Sequence, residues 1–263
     1  MIALVTDSAS QLPAGLRERF GVTVVPLTVT IDGTPYLEGI ELDLAGITQA
    51  LERGAAVGSS TPSPGQFLQA YEQTGAAQVL SIHSGGAASG TANTARLAAQ
   101  MASMPVHVVD TGSVSFPVAM AVWAAAEALD RGLEAAVAAT DLPIGNVFVV
   151  RTLELARRGG RLADGAEGSP VLALENGQMR PVGRAEDGAA AVQAMAAYVV
   201  EQAQGQRLRV GVGHVGAPEV ADALEAALRE QCELEQLVRY DMGPSVAVHT
   251  GLGTAGCCFH PAP

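Results

Sequence analysis

The first half of the chain alternates two patterns of apolar and polar positions. Short runs rich in Val, Ile and Leu predict buried strands at residues 2–5, 22–31, 79–83 and 106–109. Between them, alanine-rich segments predict helices at residues 13–20, 91–101 and 117–131, and two more helices that begin at Asp43 and at Ser63-Pro64. Strands that alternate with helices predict βαβ crossovers. We therefore expect residues 1–150 to form a three-layer α/β/α domain with a parallel sheet.

The pattern changes after about residue 150. The pair Asn176-Gly177 lies between two extended runs, residues 171–175 and 178–182, and predicts a tight hairpin. Beyond it, helices are predicted at residues 185–203 and 218–231. Strands are predicted at residues 208–214, 234–239, 246–249 and 256–259. A hairpin combined with strand–helix units indicates a mixed sheet. We expect residues 151–263 to form a second, two-layer α/β domain.

Small hydroxyl and acidic residues stand at the ends of three predicted strands. These are Thr6-Asp7-Ser8, His83-Ser84 and Asp110-Thr111. In open α/β sheets, ligands bind in the crevice at the carboxyl ends of the strands. The sequence therefore predicts that a binding site lies near these three strand ends.

Composition excludes several classes of function. The formal charge is −12 and no basic run could follow a phosphate backbone, so we expect no nucleic-acid partner. All 15 positively charged residues are arginines, which excludes Schiff-base chemistry and a Walker lysine. The richest apolar stretch, residues 117–126, is shorter than the ~20 residues that cross a bilayer. With no signal-peptide pattern at the start, we expect a cytoplasmic protein without stable membrane insertion.

Two glycine patterns match a dinucleotide-binding motif, but their context does not support one. Residues 211–216 and 251–256 both read Gly-x-Gly-x-x-Gly, in a chain with 30 glycines. The first match comes late in the chain, and the second leads into a strand rather than a helix. Acids, histidines and the three cysteines lack metal-ligand spacing. We therefore expect no metal, no cofactor, and small buried thiols.

Two hydroxyl-rich segments precede predicted helices. Ser59-Ser60-Thr61 lies before the helix start at Ser63-Pro64, and a helix cap requires only Ser63. The loop of residues 84–91 contains small residues only, so it exposes backbone N–H groups and hydroxyls at a helix N-terminus, where an anion could bind. His249 ends a further apolar run, where a histidine is either a hydrogen-bonded core residue or a ligand-binding one.

Six short segments follow one another along nearly the whole chain: Thr6-Asp7-Ser8-Ala9-Ser10, Ser59-Ser60-Thr61-Pro62-Ser63-Pro64-Gly65, Ser89-Gly90-Thr91, Val109-Asp110-Thr111, Gly159-Gly160-Arg161-Leu162 and His249-Thr250-Gly251-Leu252-Gly253. Together they resemble the motifs of the DegV family, fatty-acid-binding proteins whose fold is shared with a dihydroxyacetone kinase domain. Any one of these motifs is weak, but six in the family's order are specific. The resemblance implies a fatty acid that lies between the two domains.

The resemblance also implies which residues hold the ligand. The carboxylate of the fatty acid would be bound by Ser59, Ser89 and His249. Ser59 stands where the family has Thr, and Thr61 stands where it has Gln. Thr61 is therefore a further candidate, and which hydroxyl of Ser59, Ser60 and Thr61 faces the carboxylate stays open.

The same resemblance implies that a second protein takes part. A separate fatty acid kinase would phosphorylate the bound acid to an acyl phosphate for phospholipid synthesis, so that the chain acts in lipid transport. Arg161 and Arg184 match family arginines that serve the phosphate or the kinase encounter. The alternative for Arg161 is a solvated helix end, where a cation interacts favourably with the helix dipole.

An enzyme is the alternative to a carrier. A hydrolase or phosphotransferase could use Ser89 or Ser8 with His249 and Asp110, on a small acyl or phosphorylated substrate. It would require a histidine within hydrogen-bond reach of the hydroxyl and a carboxylate that orients the histidine. We expect a lipid-binding carrier, which needs no catalytic groups of its own.

Overall fold

The computed structural model describes residues 1–158, 160, 162 and 170–263. The chain divides into two compact units. The first contains Met1–Asp43 and Ala56–Leu142, and the second contains Leu44–Ala55 and Pro143–Pro263. The division falls after residue 142, whereas the sequence pattern suggested residue 150, and one helix from the first part of the chain belongs to the second unit.

The first unit contains a parallel sheet and a small antiparallel sheet. The elements up to residue 142, with α2 belonging to the second unit, are β1 (Ile2–Asp7), α1 (Ala14–Phe20), β2 (Thr23–Val25), β3 (Thr28–Ile31), β4 (Thr34–Leu37), α2 (Leu44–Glu52), β5 (Val57–Ser60), α3 (Pro64–Gln73), β6 (Gln78–His83), α4 (Thr91–Ala99), β7 (Val106–Asp110), α5 (Phe116–Ala128) and α6 (Leu133–Ala138). Four strands pair in parallel in the order β2-β1-β6-β7.

Helices cover both faces of the parallel sheet. Successive residues of β1, Leu4 and Val5, point to opposite faces. On the face of Leu4, buried side chains of α5 such as Val118 and Val122 pack against the sheet. On the face of Val5, the buried side chains belong to α3 and α4, and Phe67 is among them. The expected three-layer α/β/α domain with a parallel sheet is confirmed.

The small antiparallel sheet was not predicted. Its strands pair in the order β4-β3-β5. The single extended run expected at residues 22–31 is wrong, because it is two strands in different sheets. Pro26 interrupts the run, since it has no backbone N–H for a ladder. The N–H of Leu27 donates to Ser8 Oγ at 2.9 Å.

The second unit is built on a six-stranded mixed sheet. Besides α2, its elements are β8 (Gly145–Val149), α7 (Glu154–Arg158), β9 (Pro170–Glu175), β10 (Gln178–Arg184), α8 (Gly188–Ala203), β11 (Leu208–Val215), α9 (Pro218–Gln231), β12 (Leu234–Asp241), α10 (Pro244–Thr250) and β13 (Thr254–Pro261). The strand order is β10-β9-β8-β13-β11-β12, in which β11 and β12 are parallel and the other pairs are antiparallel. The expected mixed sheet is confirmed.

Two helices pack on one face of this sheet. Met195 of α8 and Leu224 of α9 are buried against strand residues such as Val147 and Val210. The expected hairpin is also present. Asn176 and Gly177 have φ values of 51° and 78°, the left-handed conformation that a tight two-residue turn between antiparallel strands requires.

The strand expected at residues 246–249 is wrong. These residues lie in helix α10, which begins with Pro244 and ends before Gly251, where φ is +81°. Val246 and Val248 favour a strand by propensity. A proline in the first turn and a glycine after the last favour a helix, and α10 packs against α2 and α7, so these contacts outweigh propensity.

Candidate functional site

Polar side chains gather at the carboxyl ends of three neighbouring strands, as the sequence predicted. Asp7, His83 and Asp110 are the last residues of β1, β6 and β7, respectively. His83 and Asp110 lie opposite each other in the β6–β7 ladder. Thr111, directly after β7, donates both its N–H (3.2 Å) and its hydroxyl (3.0 Å) to the carbonyl oxygen of His83. The ends of β6 and β7 are therefore joined by hydrogen bonds.

The carboxylate of Asp7 accepts three hydrogen bonds in the interior of the first unit. His83 Nδ1 donates to Oδ2 at 2.9 Å, and the backbone N–H of Ser84 donates to the same oxygen at 2.9 Å. The hydroxyl of Ser84 donates to Oδ1 at 3.0 Å. Asp7, His83 and Ser84 are all 0% exposed. Both carboxylate oxygens are thus satisfied, as a buried charge requires.

A chain of hydrogen bonds continues behind His83. Its Nε2 lies 2.5 Å from Ser81 Oγ, which lies 3.0 Å from the hydroxyl of Tyr71. Phe67 packs with its ring centroid 4.9 Å from that of His83, in an edge-on geometry. Burial raises the pKa of Tyr71 to about 12, so this hydroxyl stays protonated at neutral pH.

Asp7, His83 and Ser81 have the order of a catalytic triad, but they are sealed from solvent. Ser81 is 0% exposed, so a substrate has no access to its hydroxyl. The sequence did not predict this network. The available signal was that Asp7 and His83 end neighbouring parallel strands, and that Ser81 and His83 alternate by two along β6 and so share a face.

The groups that an enzyme was expected to use have other contacts. Ser8 Oγ donates to Glu38 Oε2 at 2.5 Å and accepts the N–H of Leu27. Asp110 Oδ1 accepts the backbone N–H groups of Gly86 and Gly112, both at 2.9 Å. These contacts hold loops of the first unit in place.

A glycine-rich loop carries Ser89 to the start of α4. This β6–α4 loop, residues 84–90, bends at Gly86, where φ is +61°. Ser89 is half-buried, and its Oγ lies 2.8 Å from Thr91 Oγ1 and accepts the N–H of Thr91 at 3.2 Å. Ser89 thus occupies the N-terminus of a helix, where the helix dipole favours an anion.

Three candidate hydroxyls lie at and just beyond the end of β5. Ser59 is half-buried and pairs with Val29 across the ladder, and Ser60 is exposed. Thr61 is half-buried, and its methyl group would lie 3.9 Å from a Cβ built on Gly90. The structure therefore brings Thr61 next to the loop that carries Ser89, a proximity that one-dimensional spacing did not reveal.

Two further predicted site residues, His249 and Arg184, lie in the second unit. His249 is half-buried in the last turn of α10. In the turn that follows, Gly253 has a φ of +81° and packs against the side chain of Arg151. Arg184 is the exposed last residue of β10. Arg161 lies outside the described residues.

Glycines of the two dinucleotide-like motifs serve sheet packing. A Cβ on Gly213 would lie 2.5 Å from the ring of Tyr240 on the neighbouring strand β12. A Cβ on Gly256 would overlap the backbone of Val147 on β8. These glycines allow close approach of protein groups, which explains the motifs without a dinucleotide.

The described part of the chain offers no obvious metal site or membrane span. Within it, no group of three or more His, Cys, Asp and Glu side chains could hold a metal ion. Every helix among the described residues is too short or too polar to span a bilayer. Cys257 and Cys258 are buried in β13, as expected of small core thiols, whereas Cys232 is only half-buried. Burial raises the pKa of Cys258 to about 12.

Comparison with known proteins gives matches over almost the full length. A family model described as an uncharacterised protein of the DegV family matches residues 1–262. A DegV domain-containing protein of Streptomyces coelicolor is 35% identical over 271 residues, which cover 97% of this chain and 96% of the relative.

Solved structures match equally well. A DegV family protein from Thermus thermophilus, described by its fatty acid binding, is 36% identical with a TM-score of 0.91, and 99% of each chain is covered. DegV of Bacillus subtilis, described as a fatty acid binding protein, has a TM-score of 0.89 over 99% of each chain, and at 24% identity its likeness concerns the fold alone. From its motifs, its fold and these matches, the chain belongs to the DegV family.

Proposed function

We propose that this protein is a carrier that binds one long-chain fatty acid and holds its carboxylate with hydroxyl groups and one histidine. The observation that carries the proposal is the likeness to the Thermus thermophilus protein. That protein binds fatty acid, is 36% identical and covers 99% of this chain. A relative described by its fatty acid binding fits a carrier better than an enzyme.

The geometry of the first unit supports this choice of head-group donors. Ser89 lies at a helix N-terminus, and Thr61 lies beside the adjoining Gly90. Hydroxyls can donate to a carboxylate or to the neutral acid without contributing a fixed charge. Ser59 remains the alternative to Thr61, and His249 is proposed on the family resemblance.

We further propose that the bound acid is presented to a separate fatty acid kinase, which forms an acyl phosphate for phospholipid synthesis. A carrier of this kind supplies no catalytic group and no cofactor of its own. Because the kinase requires ATP, we infer that the pair works in the cytoplasm. The test is a reconstituted reaction of oleate-loaded protein, ATP and a purified fatty acid kinase. Acyl phosphate should form only when the kinase is present, and formation without the kinase would contradict the carrier role.

Arg161 gives the kinase proposal a specific test. We expect Arg161→Ala to leave the Kd for oleate unchanged and to lower the rate of acyl-phosphate formation, since its charge is suited to a phosphate that exists only after kinase action. Arg158→Ala is the matched control, because Arg158 is exposed and its guanidinium forms an ion pair with Glu154 one turn away on α7. Kinase turnover is measured at equal acyl loading. Equal turnover for wild type and Arg161→Ala would make Arg161 a helix-end charge, whose loss costs only about 0.3–1 kcal/mol of stability.

A further inference from the structure

We propose that Asp7, although buried and remote from solvent, positions the β6–α4 loop so that Ser89 can bind the fatty-acid carboxylate. Asp7 is 0% exposed, so it acts as a positioning residue rather than as a ligand contact. The inference rests on the proposed function, because it assigns to Ser89 the role of a head-group donor. It adds to the candidate site a residue of strand β1, which lies 82 positions before Ser89 along the chain.

Ser84 links Asp7 to the start of α4. Its N–H and its hydroxyl both donate to the Asp7 carboxylate, at 2.9 and 3.0 Å. Its carbonyl oxygen accepts the N–H of Ala92, in the first turn of α4, at 3.1 Å. Ser89 Oγ accepts the N–H of Thr91 in the same turn. One residue therefore ties the buried carboxylate to the helix end at which Ser89 lies.

The orientation of the Asp7 carboxylate is itself fixed. Oδ2 accepts from both His83 Nδ1 and the N–H of Ser84, while Oδ1 accepts the hydroxyl of Ser84. Ser81, which is itself hydrogen-bonded to Tyr71, holds the far side of the imidazole. Rotation of the carboxylate would break bonds on both oxygens in a fully buried site, where unpaired polar groups are costly. The network thus resists the movement that would displace the loop.

Asp7→Asn tests the inference with little change in volume. The amide of asparagine keeps one acceptor oxygen, but its NH₂ group would face groups that now donate hydrogen bonds to the carboxylate. We expect the Kd of the delipidated protein for oleate, measured by calorimetry, to rise by about tenfold. Amide hydrogen exchange should become faster in residues 86–89, a signature that a general loss of stability would not confine to this loop.

Thr6→Val is the matched control. Thr6 neighbours Asp7 on β1, is 0% exposed, and donates its hydroxyl to the carbonyl oxygen of Ile82 on β6 at 2.8 Å. The substitution removes a buried hydrogen bond between the same two strands without touching the loop. We expect lower stability, an unchanged Kd for oleate, and unchanged hydrogen exchange in residues 86–89.

The outcomes separate this inference from the proposed function. Wild-type protein that does not bind oleate contradicts the proposed function itself. If the wild type binds oleate and Asp7→Asn binds it equally well, only the positioning role is contradicted. The same holds if Thr6→Val raises the Kd for oleate as much as Asp7→Asn does. If Asp7→Asn does not fold, Ser84→Ala tests the positioning role instead. It removes one of the three bonds to the carboxylate and should raise the Kd by a smaller factor, and an unchanged Kd overturns the inference.

Discussion

Ser89→Ala and His249→Ala are each expected to weaken oleate binding by about ten- to hundredfold, because a hydrogen bond to a charged group contributes ~1.5–3 kcal/mol. On the proposed assignment, each substitution would remove one donor to the carboxylate and leave the apolar contacts of the acyl chain in place. The effect should appear in the Kd, with the fold retained. For Ser89 some loss of stability is also expected, since its Oγ accepts the N–H of Thr91 at the start of α4.

Calorimetric titration of delipidated protein with oleate measures both effects. Ser60→Ala is the matched control, because Ser60 is the exposed member of the three candidate hydroxyls, whereas Ser59 and Thr61 are half-buried. Its Kd should equal that of the wild type. An unchanged Kd in both Ser89→Ala and His249→Ala would show that the head-group assignment is wrong, even if the protein binds fatty acid.

Gly85→Ala is the second substitution with a large expected effect. A Cβ on Gly85 would overlap the carboxylate of Asp110. Asp110 cannot move away freely, since its Oδ1 accepts the N–H groups of Gly86 and Gly112. Overpacking of this kind costs about 1–3 kcal/mol, and we expect the free energy of unfolding to fall by that amount. The loop that carries Ser89 must shift, so oleate affinity should fall as well.

Urea unfolding and oleate titration of the same samples test the effect of Gly85→Ala. Gly15→Ala is the control, because Gly15 lies in α1, where an added Cβ would meet no atom within 4 Å and φ is not positive. Alanine there should raise the free energy of unfolding by about 0.4–1 kcal/mol and leave the Kd unchanged. Wild-type stability in Gly85→Ala would contradict the close approach of this loop to Asp110.

The parallel sheet could be predicted because its pattern is local. The runs at residues 2–5, 79–83 and 106–109 are bounded by turn residues, and each is followed by a segment with helical composition. The hairpin at Asn176-Gly177 was predictable for the same reason, since those two residue types tolerate positive φ. The gathering of polar groups at strand ends then follows from parallel pairing.

Elements decided by tertiary contacts could not be predicted in this way. Val246 and Val248 are β-branched and favour a strand, yet they lie in α10, which packs against α2 and α7. The strand β5 has no local signal, because Ser59 and Ser60 have little strand propensity and lie only a few residues before the helix cap Ser63. Pairing with β3, from an earlier part of the chain, makes these residues a strand.

The sequence singles out candidate site residues one by one, but it does not reveal the contacts that hold them in place. Ser89 stands out because a loop of small residues opens a helix, and Thr61 because a helix cap does not explain it. The link from Asp7 through Ser84 to α4 requires knowledge of which strands are neighbours and which face each side chain shares. That information comes from the pairing of β1 with β6.

The central claim is that this protein carries a fatty acid, and denaturing mass spectrometry of protein purified from bacteria tests it most directly. We predict about one long-chain fatty acid per chain, released on unfolding and removable beforehand by solvent extraction. Extracted protein should then take up added oleate or palmitate to the same ratio. Repeated preparations without any fatty acid, together with no uptake of either acid, would contradict the account.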